Sequence, residues 1–361
     1  MEKIHDKVEL HVHLDGAIRP ETVLELGKKR GVRLPANNLE DLKKHMCVYK
    51  RPGNFLEFLH TFGVFMPCVA GDPEAVWRMA YEFCEDCAKQ KICYVEARYS
   101  PHILANDSPK PYYSPITGSF GARNVVETIS DAFKKGSYDF GITAKSILCC
   151  LLDNPEWSLE VYQLCEEFRN QGVVAIDLAS GEPSSNADAN TSCHLEAFRK
   201  AHQTGIHRTM HAGEVGDSNS VDLAVNLFYA ERIGHGYHVL DDLKLYRELC
   251  EKGIHFEVCP NSSVLTGACP EAATNLSLHP AKRFSDDDTN FSINSDDPLP
   301  CDTNLTKEFE FAKEMGISED KLITCIFNAA EASFTSPVEK NSLIDKLEQV
   351  YGKQSTSCPY I

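Results

Sequence analysis

The chain has 361 residues, of which 42% are hydrophobic and 25% are charged, a balance that excludes a wholly disordered protein. Its formal net charge of -17 repels phosphate backbones and anionic lipid, which disfavours nucleic acid and membrane surfaces as partners. Residues 1–8 lack the apolar run of a signal peptide, and no stretch approaches the roughly 20 apolar residues of a membrane span, so we expect a cytoplasmic protein without membrane insertion.

Fifteen cysteines are scattered through segments that look like strands and helices. A secreted disulfide scaffold would be shorter and richer in loops, so we interpret these cysteines as reduced, buried side chains. Cys84 and Cys87 have the spacing of half a structural zinc site, but no second pair stands at a suitable spacing. A disulfide-stabilised domain is therefore not expected.

Short β-rich runs alternate with helical patterns along the chain. Pro20 opens one helical pattern and Gly31 closes it, while Asp72 and Asn154 each precede a proline in the manner of a helix cap. The runs predicted as strands are 8–14, 94–100, 143–150, 173–180, 206–212, 231–236, 254–259 and 291–296. Alternating strands and helices predict a parallel sheet, and eight such units predict an α/β fold of the (β/α)8 TIM barrel class.

The first crossover, residues 15–93, is longer than the others. We interpret it as a helical insertion over the barrel mouth, with one helix near residues 55–65, inside a single barrel domain of residues 1–361. The alternative is an open dinucleotide-binding sheet. It lacks support because no Gly-x-Gly-x-x-Gly follows any predicted strand.

The predicted strand ends carry side chains that suit a metal site. In the first strand, "VELHVHLDG", the two-residue period places His11 and His13 on one face, which points into the barrel if the apolar face meets the helices. Three other strand ends supply further groups, namely His211 and Glu214, then His235, then Asp296 and Asp297. A His-x-His alone could be two hydrogen-bonded histidines on a half-exposed strand, but four such ends at one rim favour a divalent metal and metal-assisted hydrolysis.

At these residues the chain resembles the adenosine deaminase family of the amidohydrolase superfamily. The resemblance runs through "ELHVHLDGAI", "YVEARYSPH", "SILCC", "VVAIDLA", "GIHRTMHAGE", "ERIGHGYH" and "SINSDDP". A His-x-His marks only the superfamily, whereas "HLDGA", "HAGE" and "SDDP" in this order are far more specific. The resemblance implies a zinc-dependent hydrolase of purine salvage, which converts adenosine and 2′-deoxyadenosine to inosine and 2′-deoxyinosine with release of ammonia.

The resemblance also implies a role for each strand-end residue. One Zn²⁺ per chain would be bound by His11, His13, His211 and Asp296. His235 and Asp296 would position the hydrolytic water, and Glu214 would protonate N1 of the purine ring as hydroxide attacks C6.

Further implied roles concern recognition of the nucleoside. Asp297 would form a hydrogen bond with N7, and the backbone N–H of Gly181 would reach N3. Asp15, with help from His13, would hold the ribose 5′-hydroxyl. Four apolar side chains would cover the purine as a lid, although periodicity alone fits core positions equally well, and these are Phe55, Phe58, Leu59 and Phe62.

Two segments depart from the family pattern. Leu151-Leu152-Asp153 stands where the family more often has Met-Arg-His, and Asn261 stands where a Trp is common. We expect these departures to alter the shape of the pocket and not the reaction.

The same barrel also allows other functions. The nearest alternatives are deaminases of N6-methyl-AMP or adenine. In a different class, the chain could serve as a binding partner of a cell-surface protein, with a cell-surface or lysosomal location in addition to the cytoplasmic one. A pure adaptor should have lost metal ligands, but all four implied metal ligands are intact. The zinc deaminases that combine His-x-Glu with Pro-Cys-x-x-Cys are excluded, because His255-Phe256-Glu257 has no such second motif.

Overall fold

The computed structural model describes residues 4–182 and 189–353 of the chain. Within these ranges the strands are β1 (Lys7–His13), β2 (Ile92–Tyr99), β3 (Thr143–Leu151), β4 (Val173–Ala179), β5 (His207–Ala212), β6 (Arg232–His235), β7 (His255–Val258) and β8 (Phe291–Ile293). They are parallel, and each pairs with the next in one eight-stranded sheet. The predicted α/β fold, a (β/α)8 TIM barrel, is confirmed.

Helices surround the sheet. In the described ranges they are α1 (Pro20–Arg30), α2 (Leu39–Met46), α3 (Phe55–Phe65), α4 (Pro73–Lys89), α5 (Pro101–Leu104), α6 (Ala122–Phe140), α7 (Ser158–Phe168), α8 (Ala189–Thr204), α9 (Ser218–Asn226), α10 (Leu243–Glu251), α11 (Pro260–Leu265), α12 (Pro280–Asp286), α13 (Leu305–Glu314), α14 (Glu319–Ala332) and α15 (Pro337–Tyr351). Short 3₁₀ turns occupy Met66–Cys68, Pro155–Trp157, Arg169–Gln171, Tyr237–Asp241, Pro270–Ala273 and Leu276–Leu278. None of the helices described here combines the length and the apolar character needed to cross a membrane.

The barrel closes where β1 meets the segment that follows β8. The backbone N–H of His13 donates to the carbonyl of Asp296 at 2.6 Å, and the N–H of Asp296 donates to the carbonyl of His11 at 3.0 Å. The predicted eighth strand, 291–296, is too long. β8 ends at Ile293 because the backbone turns out of the strand, and Asp296 adopts a left-handed conformation with φ 60°.

Helix ends follow the predicted signals at two places and depart from them at a third. α1 begins at Pro20 and ends at Arg30, and Gly31 caps it with a φ of 67°, a left-handed conformation that a side chain would disfavour. The Asp72 side chain caps α4 as predicted. Asn154 makes no side-chain cap to α7, because the 3₁₀ turn over Pro155–Trp157 stands between them.

Four helices lie between β1 and β2. α4 packs against β2 and α6, which is the place of an outer helix of the barrel. α3 instead contributes to the pocket at the carboxyl ends of the strands, while its Phe58 and Phe62 also belong to the main hydrophobic core. The limits of the insertion, residues 15–93, stay a prediction.

The cysteines of the described ranges are all free, and most of them are buried. This agrees with the prediction of reduced, buried thiols. Among these same residues no group of three or more metal-binding side chains includes Cys84 or Cys87. The half zinc site therefore finds no support.

Burial of a neutral histidine makes the fold sensitive to acid. His279 is buried, its Nε2 lies 2.7 Å from Ser263 Oγ, and its Nδ1 accepts the N–H of Ala281 at 3.0 Å. Burial lowers the pKa of His279 to about 3. In the unfolded chain the imidazole takes up its proton near its ordinary pKa, about 6.5. The stability that neutral His279 contributes is therefore present above that pH and is lost as the pH falls towards 3.

We expect His279→Gln to weaken this acid sensitivity, because glutamine keeps a donor and an acceptor but does not titrate. Between pH 7 and pH 5 the original chain should lose about 2 kcal/mol more of its free energy of unfolding than the variant does. Urea denaturation at the two pH values measures the difference. His45→Gln, at an exposed position, serves as the control and should keep the original pH dependence. Equal acid sensitivity of His279→Gln and the original chain would contradict the prediction.

Candidate active site

A cluster of histidines and one aspartate lies at the carboxyl ends of the strands. His11, His211, His235 and Asp296 each offer one ligand atom, and these atoms lie within 4.8 Å of one another. His13 belongs to an overlapping group with Asp296 and Asp297. The structure thus brings the four predicted ligands together, and it places His235, which was predicted to orient water, equally near.

The distances inside the cluster fit a bound divalent cation. His11 Nε2 lies 3.2 Å from Asp296 Oδ1, His13 Nε2 lies 3.6 Å from the same oxygen, and His13 Nε2 lies 3.2 Å from His211 Nε2. Ligand atoms that surround Zn²⁺ tetrahedrally at its usual bond lengths are about 3.4 Å apart. His11 Nε2 is also buried and makes no hydrogen bond, which is a costly state for a nitrogen without a ligand.

Backbone geometry aims these side chains at one point. His235 and Asp296 both adopt left-handed conformations, with φ of 67° and 60°, which are rare for residues that carry a side chain. A side chain at position 234 would clash with the cluster, since a Cβ on Gly234 would lie 2.8 Å from Cε1 of His11. A Cβ on Gly16 would lie 1.9 Å from Oδ1 of Asp297. The strand ends therefore tolerate little change around the cluster.

Three buried charged residues behind the cluster were not predicted. Glu257 Oε2 lies 2.7 Å from His11 Nδ1, and Asp177 Oδ2 lies 3.1 Å from His211 Nδ1. Arg98 joins the two carboxylates, with donor distances of 3.0 Å to Asp177 and 2.6 Å to Glu257. Asp177 and Glu257 are each the one carboxylate of a short buried strand, and Arg98 shares the buried strand β2 with Glu96. Charges in such strands are a signal that could have identified these residues. Their contacts fix the orientation of the two imidazoles.

Both supporting carboxylates stay ionised. Burial alone would raise the pKa of Glu257, but Arg98 and Arg232 hold it well below its ordinary range. Burial likewise opposes ionisation of Asp177, and the neighbouring His211 and Arg98 lower its pKa nevertheless. A carboxylate at Nδ1 holds the proton on that nitrogen, so that Nε2 of each histidine presents a lone pair to the cluster.

Two further acids beside the cluster have raised pKa values, in contrast to the two supporting carboxylates. Burial, reinforced by the charge of Asp296, raises the pKa of Glu214 well above its ordinary value. Burial also raises the pKa of Asp297, again with a contribution from Asp296. His235, whose Nε2 lies 3.7 Å from Glu214 Oε2, has a lowered pKa because it is buried. The site thus combines two acids whose pKa values are raised with a neutral imidazole whose ring nitrogen can accept a hydrogen bond.

One pocket contains nearly all the remaining residues predicted for the site. Asp15 and Gly181 line it together with His13, Glu214 and Asp297. Its apolar wall includes the four predicted lid residues of α3 and two tyrosines that were not predicted: Phe55, Phe58, Leu59, Phe62, Tyr112 and Tyr113. His11 does not line the described pocket and belongs to the group of possible metal ligands.

The two departures from the family pattern lie in different surroundings. Leu151 lines the pocket, and a Cβ on Gly181 would lie 2.7 Å from Cδ2 of Leu152. Asn261 is absent from the described pocket wall. It is buried, donates to the carbonyl of Cys301 at 3.1 Å and accepts a hydrogen bond from Arg51. Only the leucines can therefore affect the pocket by direct contact.

Comparison with known proteins agrees with this geometry. Residues 6–350 match the family model described as adenosine deaminase. Adenosine deaminase of Xenopus tropicalis is 48% identical over 348 residues, which are 96% of this chain and 96% of that protein. Among solved structures, the adenine deaminase of Arthrobacter aurescens has a TM-score of 0.81 at 24% identity and covers 96% of this chain and 99% of its own. An amidohydrolase from Burkholderia ambifaria with bound Zn has a TM-score of 0.80 at 22% identity, over 96% and 91% of the two chains.

The two structural similarities, at such low identity, concern the fold alone. The family model and the Xenopus relative identify the family as well as the fold, because they match almost the whole chain. The matched residues include every strand of the barrel and the complete cluster of histidines and aspartates. The chain belongs to the adenosine deaminase family.

Proposed function

We propose that the chain catalyses the zinc-dependent hydrolytic deamination of adenosine and 2′-deoxyadenosine to inosine and 2′-deoxyinosine, with release of ammonia, as a step of purine salvage. The observation that carries this proposal is the position of Glu214. This acid, whose pKa is raised, lines the same pocket as His13 and Asp296 of the metal cluster. An acid beside a metal is what the addition of water to a purine ring requires.

The proposed cation is Zn²⁺, one per chain. His11, His13, His211 and Asp296 would hold it, since three imidazoles and one carboxylate are donors that zinc prefers. When bound, zinc lowers the pKa of a water molecule towards 7 and so makes hydroxide available at neutral pH. The Burkholderia protein of the same fold is described with bound Zn.

The proton steps fall to residues of the chain. As oxygen adds at C6 of the purine, Glu214 gives its proton to N1, which has become more basic because it takes up the π-electron pair of the C6–N1 double bond. His235, buried and neutral, orients the attacking water through its ring nitrogen. The 6-amino group takes up the proton that the attacking water loses, and the hydroxyl proton of the tetrahedral carbon returns to Glu214. Collapse then expels ammonia and leaves the 6-oxo purine, with Glu214 protonated again.

Recognition of the nucleoside is assigned to groups around the pocket. Asp297, which retains its proton because its pKa is raised, donates to N7 of the purine, while the N–H of Gly181 donates to N3. Asp15 accepts the ribose 5′-hydroxyl. Its Oδ1 is buried, makes no hydrogen bond and lies 3.7 Å from His13 Nδ1. The apolar side chains of α3 cover the base and exclude bulk water.

We expect His211→Ala to lose most of its zinc, because three remaining ligands bind the ion less tightly. Elemental analysis of the purified proteins should find about one zinc per original chain and well below half of that in the variant. His238→Ala removes a histidine that pairs with Asp241 at the surface and should keep full zinc content. Full occupancy in His211→Ala would remove His211 from the set of ligands.

Turnover of purified protein with adenosine tests the proposed function directly. The change in ultraviolet absorbance as inosine forms gives the rate, and release of ammonia confirms the reaction. Adenine and N6-methyl-AMP, offered under the same conditions, test the two alternatives. Turnover of either one at a higher kcat/KM than adenosine would replace the proposed substrate.

A further inference from the structure

A single carboxylate outside the proposed mechanism supports the loop that carries Glu214. Glu182 follows Gly181 at the end of β4. Its Oε1 accepts the N–H groups of Glu214 at 2.7 Å, Val215 at 2.8 Å and Gly216 at 3.2 Å. Its Oε2 accepts the N–H of Gly213 at 2.6 Å and the hydroxyl of Ser220 at 2.6 Å. Four successive backbone amides therefore converge on one side chain.

This convergence determines the shape of the loop after β5. Backbone N–H groups in such a loop need an acceptor, and four that point to one place form an anion-binding concavity. Gly213 has a left-handed backbone with φ 64°, which allows the chain to curl around the carboxylate. A Cβ on Gly216 would lie 2.5 Å from Oε2 of Glu182. The loop and the carboxylate are thus fitted to each other.

We propose that Glu182 is a positioning residue, which holds Glu214 in the orientation needed to protonate the purine; this inference rests on the proposed function. The carboxylate binds the backbone N–H of Glu214 itself, and Glu182 is also the neighbour of Gly181, which lines the substrate pocket. One side chain therefore joins the wall beside the purine N3 edge to the acid beside N1. Small errors in the distance between an acid and the atom that it protonates have large effects on rate.

Glu182→Gln tests the inference, since it keeps the size of the side chain but turns one oxygen into an N–H donor that faces backbone N–H groups. We expect kcat for adenosine to fall at least about tenfold, while zinc content and the affinity for the product inosine change by less than about threefold. Asp217→Asn is the matched control. It makes the same change of charge in the same loop, at a side chain that caps α9, and should keep the original kcat.

A double-mutant cycle separates positioning of Glu214 from general support of the fold. If Glu182 acts through Glu214, then Glu182→Gln should lower the residual kcat by less than about threefold when Glu214→Gln is already present. Equal fold-losses in the two backgrounds would overturn the inference but leave the proposed function intact. Full turnover of Glu214→Gln by itself would also overturn the inference, because Glu214 would then not be the proton donor, whereas the deamination of adenosine would stand.

Hydrogen exchange of the unmodified chain gives a test that does not depend on folding of a variant. The amides of residues 213–216 should exchange at least about tenfold more slowly than unprotected amides, because each donates to Glu182. Peptides that cover this loop report the rates by mass spectrometry. Unprotected exchange of all four amides would overturn the inference.

Discussion

Glu214→Gln should lower the turnover of adenosine by at least about 10²-fold while the chain keeps its zinc, because the amide has the same size but no acidic proton to give to N1. Glu214 is suited to this step by its surroundings. It is buried in the pocket wall, and burial together with the charge of Asp296 keeps its pKa well above the ordinary value. A carboxylic acid in this state keeps its proton to higher pH than an ordinary glutamic acid, which suits a proton donor.

The comparison needs a second buried acid that does not line the described pocket. Glu308 meets this condition. Burial raises its pKa to about 8, and it accepts hydrogen bonds from Thr303 and from the backbone N–H of Asn261. We expect Glu308→Gln to keep kcat within about threefold of the original chain. Near-normal turnover of Glu214→Gln, with zinc confirmed by elemental analysis, would mean that another group gives the proton to N1.

The fold was predictable because each strand ends in a clear local signal. A β-rich run followed by small or polar residues recurs eight times, and the barrel follows from their count and order. Boundaries were less accurate where the chain leaves the strand without a glycine or proline. Asp296 is the main case, since its left-handed backbone is not evident from the residue type.

The candidate site was predictable in its composition but not in its supporting layer. His11 and His13 are marked by their spacing, and the other strand ends supply the remaining groups. Arg98, Asp177 and Glu257 were not predicted, because their role depends on contacts across the barrel between β2, β4 and β7. Such contacts join residues far apart in the sequence. The double role of α3, as core and as pocket wall, likewise became visible only in the packed structure.

AMP should be a poorer substrate than adenosine by at least about 10³-fold in kcat/KM, which corresponds to roughly 4 kcal/mol of transition-state stabilisation. Phosphate is normally held by Arg, Lys or a cluster of backbone N–H groups. The described wall of the pocket contains neither Arg nor Lys. The segments that follow the strand ends contain Arg19 as their one Arg or Lys, and these segments are 15–20, 101–108, 151–155, 181–190, 213–220, 236–242, 261–269 and 297–303. Arg19 does not line the described pocket and forms ion pairs with Glu85 and Asp86 of α4.

The groups near the proposed ribose site are acidic instead. Asp15 is buried, with Oδ1 free of hydrogen bonds, and Asp153 is exposed at the end of β3. Residues 183–188, which follow β4 in the sequence, lie outside the described residues and contain no Arg or Lys. A phosphate beside Asp15 would meet like charge at close range, whereas an uncharged 5′-hydroxyl can donate to that carboxylate. The net charge of -17 also disfavours the approach of a dianion.

Two variants sharpen this comparison of substrates. Asp15→Asn removes the negative charge that would face the phosphate, so it should lower kcat/KM for adenosine and narrow the difference between adenosine and AMP. Asp153→Asn removes one charge from the exposed rim. It should leave the ratio of kcat/KM for adenosine to kcat/KM for AMP within about threefold of its original value, because solvent screens an exposed charge. Both substrates are measured in one buffer at one ionic strength. AMP turnover within tenfold of adenosine in the original chain would reveal a phosphate site at the rim. If Asp15→Asn left the ratio of the two kcat/KM values unchanged, a group other than Asp15 would discriminate between adenosine and AMP.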